Sequence, residues 1–216
     1  RFQTALRRYA LALKAGFDPE QPRDELGRWV ETGRSEEEED GAGDATDISS
    51  AERSGGLLRA ARAAWKLIEA FRSGNGFEDM FGYSSNRTVA VTTVDGETIF
   101  GSSGRSPTFT DADGHDSERM RAALVQKYPD LMNTQNLGQF PNDALYHAEA
   151  NILMRAAKRF GGSLAGKELE VYVDRPLCRS CEKVLPLLSK ELGSPTVKIF
   201  DGTNRVLILR NGSWTR

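Results

Sequence analysis

Two short motifs, His147-Ala148-Glu149 and Pro176-Leu177-Cys178-Arg179-Ser180-Cys181, constrain this chain more than anything else in it. Each stands at the start of an apolar-periodic segment. One imidazole and two thiols offer three protein ligands to a zinc ion and leave the fourth position to water, the ligand count of a catalytic rather than a structural site. A fold that uses them must bring residue 147 beside residues 178–181. Cys178 and Cys181 are i and i+3, on one side of a helical turn, and a helix N-terminus favours the thiolate forms that zinc needs. His147 and Glu149 are i and i+2, so they do not share a helical face. That suits a division of labour in which His147 binds metal and Glu149 handles protons from beside it.

Either motif alone would be weak. A lone H-x-E is commonly a surface or core pair, and a lone C-x-x-C is commonly a redox pair or half of a four-ligand structural zinc site. The second half of such a site is missing, because the chain has two cysteines in all and His115 is its one other histidine. A thioredoxin-like reading would want the cysteines after the first strand of a βαβ unit and would leave His147 and Glu149 without a role. Two cysteines also exclude a disulfide scaffold.

The order of elements supports bringing the motifs together. Residues 88–94 alternate and are β-branched, Asp95-Gly96 is a hairpin turn signal, and 98–100 returns. Residues 101–115 read as a long loop and 116–128 as a helix capped by Asp116 or Ser117, with Met120, Leu124 and Tyr128 as its stripe. A second loop runs over 129–142. The pattern predicts a helix over 146–160 with Asn142 or Asp143 as cap, and a strand over 168–174 with Leu169, Val171 and Val173 on one face. A further helix is expected over 178–192, kinked or split by Pro186. Strands at 196–200 and 206–209 are joined by too few residues for a crossover and should be antiparallel. The expected fold class is α/β, with the last two strands antiparallel.

Three regions are expected. Residues 1–34 hold a short amphipathic helix at 2–14 and a turn-rich segment at 16–29 pinned by Phe17 and Trp29. Residues 35–56 carry eight acids and one Arg and read as a flexible linker. Residues 57–216 form the domain, opening with a helix over 57–73 whose stripe is Leu58, Ala61, Trp65, Ile68 and Phe71. This last region holds 21 Lys and Arg against 18 Asp and Glu, a mildly basic balance of +3 within a chain of net charge −2, which permits nucleic acid as partner without demanding it. No apolar run is long enough for a membrane span. The chain begins in mid-pattern at Arg1, without Met or an apolar signal core, as expected for a piece of something longer.

Residues 88–210 resemble the zinc-dependent cytidine deaminase superfamily, and most of all its bacterial polymorphic-toxin branch. The resemblance rests on His147, Glu149, Cys178 and Cys181 and on the element order. H-x-E with P-C-x-x-C is the zinc deaminase signature, in which the Glu is not a ligand. The resemblance implies a three-layer sandwich around a central mixed sheet, and a Zn2+ cofactor held by His147, Cys178 and Cys181, with Glu149 as the catalytic proton shuttle. One departure stands out: Leu177 intervenes between Pro176 and the first cysteine. Residues 16–29 resemble the tail of phage Mu F-like minor head proteins, which implies a context and no chemistry.

The activity implied is hydrolytic deamination of cytosine to uracil in nucleic acid, DNA before RNA, by an antibacterial toxin module. An immunity protein is the partner that such a toxin implies, and the cytoplasm of a target bacterium its place of action. Tyr146, Phe140, Asn142, Ser103 and Pro176 are the candidate substrate contacts; Phe109, Arg105 and Arg179 lie in or near the same loops. Aromatic rings could stack a base and arginines could meet phosphate, although each also reads as an ordinary loop anchor. Two other functions stay open: a deaminase of free cytidine or nucleotides, and a non-catalytic structural or binding segment of a phage-head-like protein.

Overall fold

The computed structural model describes residues 50–77, 87–135, 138–203 and 205–215, with the backbone alone over 50–58. The expected helix at 2–14, the phage-head-like segment at 16–29 and the acidic run at 36–40 lie outside these residues. The first described helix, α1 (Ser50–Gly74), begins ahead of Leu57 and runs through Gly55-Gly56. A glycine costs a helix only about 1 kcal/mol against alanine, and helix-forming Ala, Glu, Arg and Leu residues flank this pair.

The strands are β1 (Val89–Val94), β2 (Glu97–Ser102), β3 (Glu168–Val173), β4 (Thr196–Phe200), β5 (Val206–Arg210) and β6 (Ser213–Thr215). They form one mixed sheet in the order β2-β1-β3-β4-β5-β6, with β3 and β4 parallel and every other pair antiparallel. Asp95 and Gly96 both take positive φ (52° and 80°), the two-residue turn that matches strand twist. Asn211 and Gly212 do the same (52° and 66°) and add β6, which the sequence reading passed over although Asn-Gly is a strong hairpin signal.

Three further helices cover the face opposite α1: α2 (Asp111–Lys127), α3 (Ala148–Arg159) and α4 (Arg179–Glu191). Alternation along the strands divides the core accordingly. Val89, Val91, Tyr172 and Phe200 pack with Ala64 and Ile68 of α1, whereas Leu169, Val171 and Val173 face the other three helices, as the strand pattern predicts. The α2 helix starts earlier than Asp116, in what read as loop. Thr110 caps it by accepting from the Asp113 N–H, and the Asp113 carboxylate accepts from the Thr110 N–H at 2.7 Å, a reciprocal capping box. Among the described residues, no helix is long and apolar enough to cross a membrane.

Two details position the site. First, a methyl group on Gly101 would fall 2.6 Å from both Ala148 O and Ile152 Cβ. At Gly101, strand β2 therefore presents no side chain to α3, which lets the first turns of α3 sit close on the sheet. Second, Arg72, which lies outside the apolar stripe of α1, is 2% exposed. Its Nη1 donates to Arg87 O at 2.7 Å and Asp174 Oδ2 at 2.6 Å, while Asp174 Oδ1 accepts from Val89 N at 3.0 Å. This ties α1, the start of β1 and the end of β3 to one point, and removing one partner of such a buried pair costs about 3–5 kcal/mol.

Pro186 neither ends nor splits α4, which is one helix through it. The proline has no N–H to offer the Glu182 carbonyl four residues back, and Trp214 of β6 supplies the missing donor, Nε1 to Glu182 O at 2.7 Å. Trp214→Phe keeps an aromatic six-membered ring and removes the Nε1 donor, so the carbonyl is orphaned. It should lower unfolding free energy by about 1–3 kcal/mol, read by urea denaturation; a loss below about 0.5 kcal/mol would show that water satisfies Glu182 instead.

Candidate active site and metal centre

The chain reaches the site through two helix starts. Asn142–Tyr146 is a 3₁₀ turn rather than a cap, and His147 itself is the N-cap of α3, in extended conformation (φ −88°, ψ 155°). Cys178 is the N-cap of α4 in nearly the same conformation (φ −87°, ψ 164°). Both residues thus stand one residue before their helices, not inside them. Cys178 Sγ accepts from the Cys181 N–H at 3.4 Å, so one sulfur caps α4 and faces the site. His147 makes no capping bond, because its ring is turned to the sulfurs: Nδ1 lies 3.3 Å from Cys178 Sγ and 3.3 Å from Cys181 Sγ.

The three donor atoms lie within 4.8 Å of one another. Tetrahedral ligands at about 2.0–2.3 Å from zinc stand about 3.5 Å apart, so the imidazole and the two sulfurs fit that ion with little movement. Without metal the site holds protons in its place. Cys178 is brought down to about 3, first by the Cys181 thiol donating to it and then, against its burial, by His147. Cys181 is pushed well up by that same hydrogen bond and by burial. Burial pulls His147 down, but the Cys178 sulfur and the charges of Glu149 and Asp143 more than offset it and leave its pKa raised. A metal ion that takes these three atoms displaces their protons.

Glu149 sits in the first turn of α3, 4% exposed. Burial raises its carboxyl to about 7, against the pull of His147. A carboxyl poised there can both accept and return a proton near neutral pH.

The site opens into a cavity of about 680 Å³ lined, among the described residues, by His147, Glu149 and Cys178 together with Thr88, Ser103, Gly104, Arg105, Gly138, Tyr146, Arg175 and Pro176. Of the expected substrate contacts, Ser103, Tyr146 and Pro176 are in this wall. Phe140 and Asn142 are not. Phe140 is half-exposed beneath Lys183 Nζ, 4.8 Å from its ring centre. Asn142 is fully buried and holds the loop at Asn133, accepting from its N–H at 2.9 Å and donating to its carbonyl at 2.5 Å. Arg179 is exposed and outside the lining. Tyr146 packs against the backbone at Gly104, whose N–H donates to Tyr146 O at 2.7 Å, and its ring meets Phe109 at 5.9 Å.

The family model for MafB19-like deaminase matches residues 79–190, just over half of the chain and the whole stretch from the first strand to the second motif. The chain belongs to the MafB19-like deaminase family. No curated protein matches it. Membership makes the chain a deaminase; His147, Cys178 and Cys181 could hold a metal ion, which would supply an activated water when bound, and Glu149 lines the same cavity as His147 and Cys178. The extra residue at Leu177 is accommodated locally. Its side chain is buried, its N–H donates to Asp201 Oδ2 at 3.2 Å, and its carbonyl accepts from Arg205 at 3.5 Å. The turn between β4 and β5 therefore holds the segment that leads into Cys178. The sequence reading missed Thr88, Gly104, Gly138 and Arg175 as lining residues. Arg175 adjoins Pro176 and could have been named with it; the others carry no local signal.

Proposed function

We propose that this MafB19-like deaminase converts cytosine to uracil in nucleic acid, DNA in preference to RNA, with zinc as cofactor, and that it serves as an antibacterial toxin module countered by an immunity protein. In the reaction, water replaces the exocyclic amine at C4 and ammonia leaves. Glu149 takes a proton from the attacking water, delivers it to the ring nitrogen and carries another to the departing amine. The observation that carries this reading is the lining of the cavity. His147, Cys178 and Glu149 line a space of about 680 Å³, with Cys181 buried behind them, and the lining also includes the exposed Arg105 and the half-buried Arg175 and Tyr146. Guanidinium groups in the lining suit a base presented on a phosphodiester chain, and a tyrosine beside His147 offers a stacking surface. A base in a duplex must be flipped out or already unpaired to enter such a site.

The test is a substrate panel. Zinc-loaded protein is incubated with cytidine, single-stranded DNA, duplex DNA and RNA, and uracil is measured by mass spectrometry. The expected result is uracil in DNA. Turnover of cytidine alone would replace this reading with a free-nucleoside enzyme, and turnover of none with zinc bound would end the cytosine assignment.

A further inference from the structure

We propose that Asp143 is a positioning residue for the metal centre, holding the His147 ring by its outer nitrogen. The inference rests on the reading of His147, Cys178 and Cys181 as zinc ligands. Because Nδ1 of His147 faces both sulfurs at 3.3 Å, Nε2 must carry the proton when Nδ1 is on a metal, and it then needs an acceptor. Asp143 Oδ2 lies 4.0 Å from Nε2, four residues upstream across the junction of the 3₁₀ turn and α3. Its other oxygen, Oδ1, is buried and has no hydrogen-bond partner among the described residues. A carboxylate with one oxygen enclosed and unbonded has unspent accepting capacity, and this one stands beside Nε2.

The surrounding backbone points the same way. The 3₁₀ turn is held on both sides: the Asn142 side chain bonds the Asn133 backbone, and Ser117 Oγ donates to Leu145 O at 2.8 Å. His147 N–H donates to Ala144 O at 3.0 Å. The turn therefore arrives as a fixed unit and brings Asp143 to the imidazole. A carboxylate on the far nitrogen of a ligating histidine selects the tautomer, restrains the ring and makes the bound nitrogen a stronger donor, and loss of such a partner costs about 10–100-fold in metal affinity.

The experiment measures zinc affinity by competition with a chromophoric chelator for wild type, Asp143→Ala and Asp143→Asn, and the melting temperature of each protein freed of metal. Asp143→Ala should weaken zinc by about 10–100-fold. Asp143→Asn, whose amide oxygen still accepts from Nε2–H, should recover part of that. The metal-free melting temperatures should agree within about 2 °C, well under the shift expected of a 1 kcal/mol structural loss. Equal zinc affinity in wild type and Asp143→Ala would overturn the inference while leaving the zinc site standing. A metal-free melting temperature that falls in step with affinity would reduce Asp143 to a structural residue. A wild type that takes up no zinc would remove the ligand assignment and this inference with it.

Discussion

Cys178→Ser is expected to remove zinc and deamination together, with the fold intact. The substitution separates the two duties of this position. As N-cap of α4, Cys178 accepts from the Cys181 N–H, and serine is among the preferred residues there, so the helix start is preserved. As a ligand it cannot be replaced in kind, because a serine hydroxyl does not ionise near neutral pH and is a harder donor than the thiolate that suits zinc. The loss of affinity should exceed the roughly 10–100-fold that removal of a supporting partner costs. Metal content by atomic absorption should fall from one zinc per chain to near none, with far-ultraviolet circular dichroism unchanged. A variant that keeps both its zinc and its turnover would show that Cys178 is not a ligand.

Glu149→Gln should behave differently: zinc retained, turnover reduced by about 10²–10⁴-fold, the span typical of a positioned acid–base group. Glutamine fills the same volume and cannot exchange protons. Persistent uracil formation would refute the shuttle. The same variant has a second signature in the metal-free protein. Burial raises the Glu149 pKa from 4.5 to about 7, so the folded state binds this proton more tightly than the unfolded chain does. The group's favourable contribution is complete below about pH 4.5 and is lost as pH rises through about 7, beyond which the buried charge costs roughly 3 kcal/mol. Metal-free Glu149→Gln should therefore gain stability relative to wild type between pH 5 and pH 8, by up to roughly 3 kcal/mol in urea unfolding. Parallel profiles for the two proteins would place Glu149 in contact with water rather than in the core.

Several features of the fold were legible in residue order because they depend on short-range physics. Alternation placed Leu169, Val171 and Val173 on one face of β3, Asp95-Gly96 made the first hairpin, and a five-residue connection forced β4 and β5 antiparallel. Errors arose where a local signal had two meanings. Asp143 looked like a helix cap and is part of a 3₁₀ turn. Asp116 looked like a helix start, although the reciprocal pair Thr110 and Asp113 starts that helix earlier. Pro186 looked like a break, and the carbonyl it abandons is met by Trp214, some 30 residues on, which no local rule could anticipate.

The chemistry divides in the same way. The candidate donor set, His147 with Cys178 and Cys181, was legible in the sequence from residue type and motif spacing, and the family resemblance implied a proton-handling part for Glu149; that the three donor atoms converge is a property of the fold. Tertiary structure alone decided which nitrogen of His147 faces the sulfurs, that Glu149 is desolvated enough to hold a proton near neutral pH, and that Asn142 braces a loop instead of lining the cavity. Each of these depends on what a side chain meets across the sheet or from another helix, and burial and long-range contacts are not functions of neighbours in sequence.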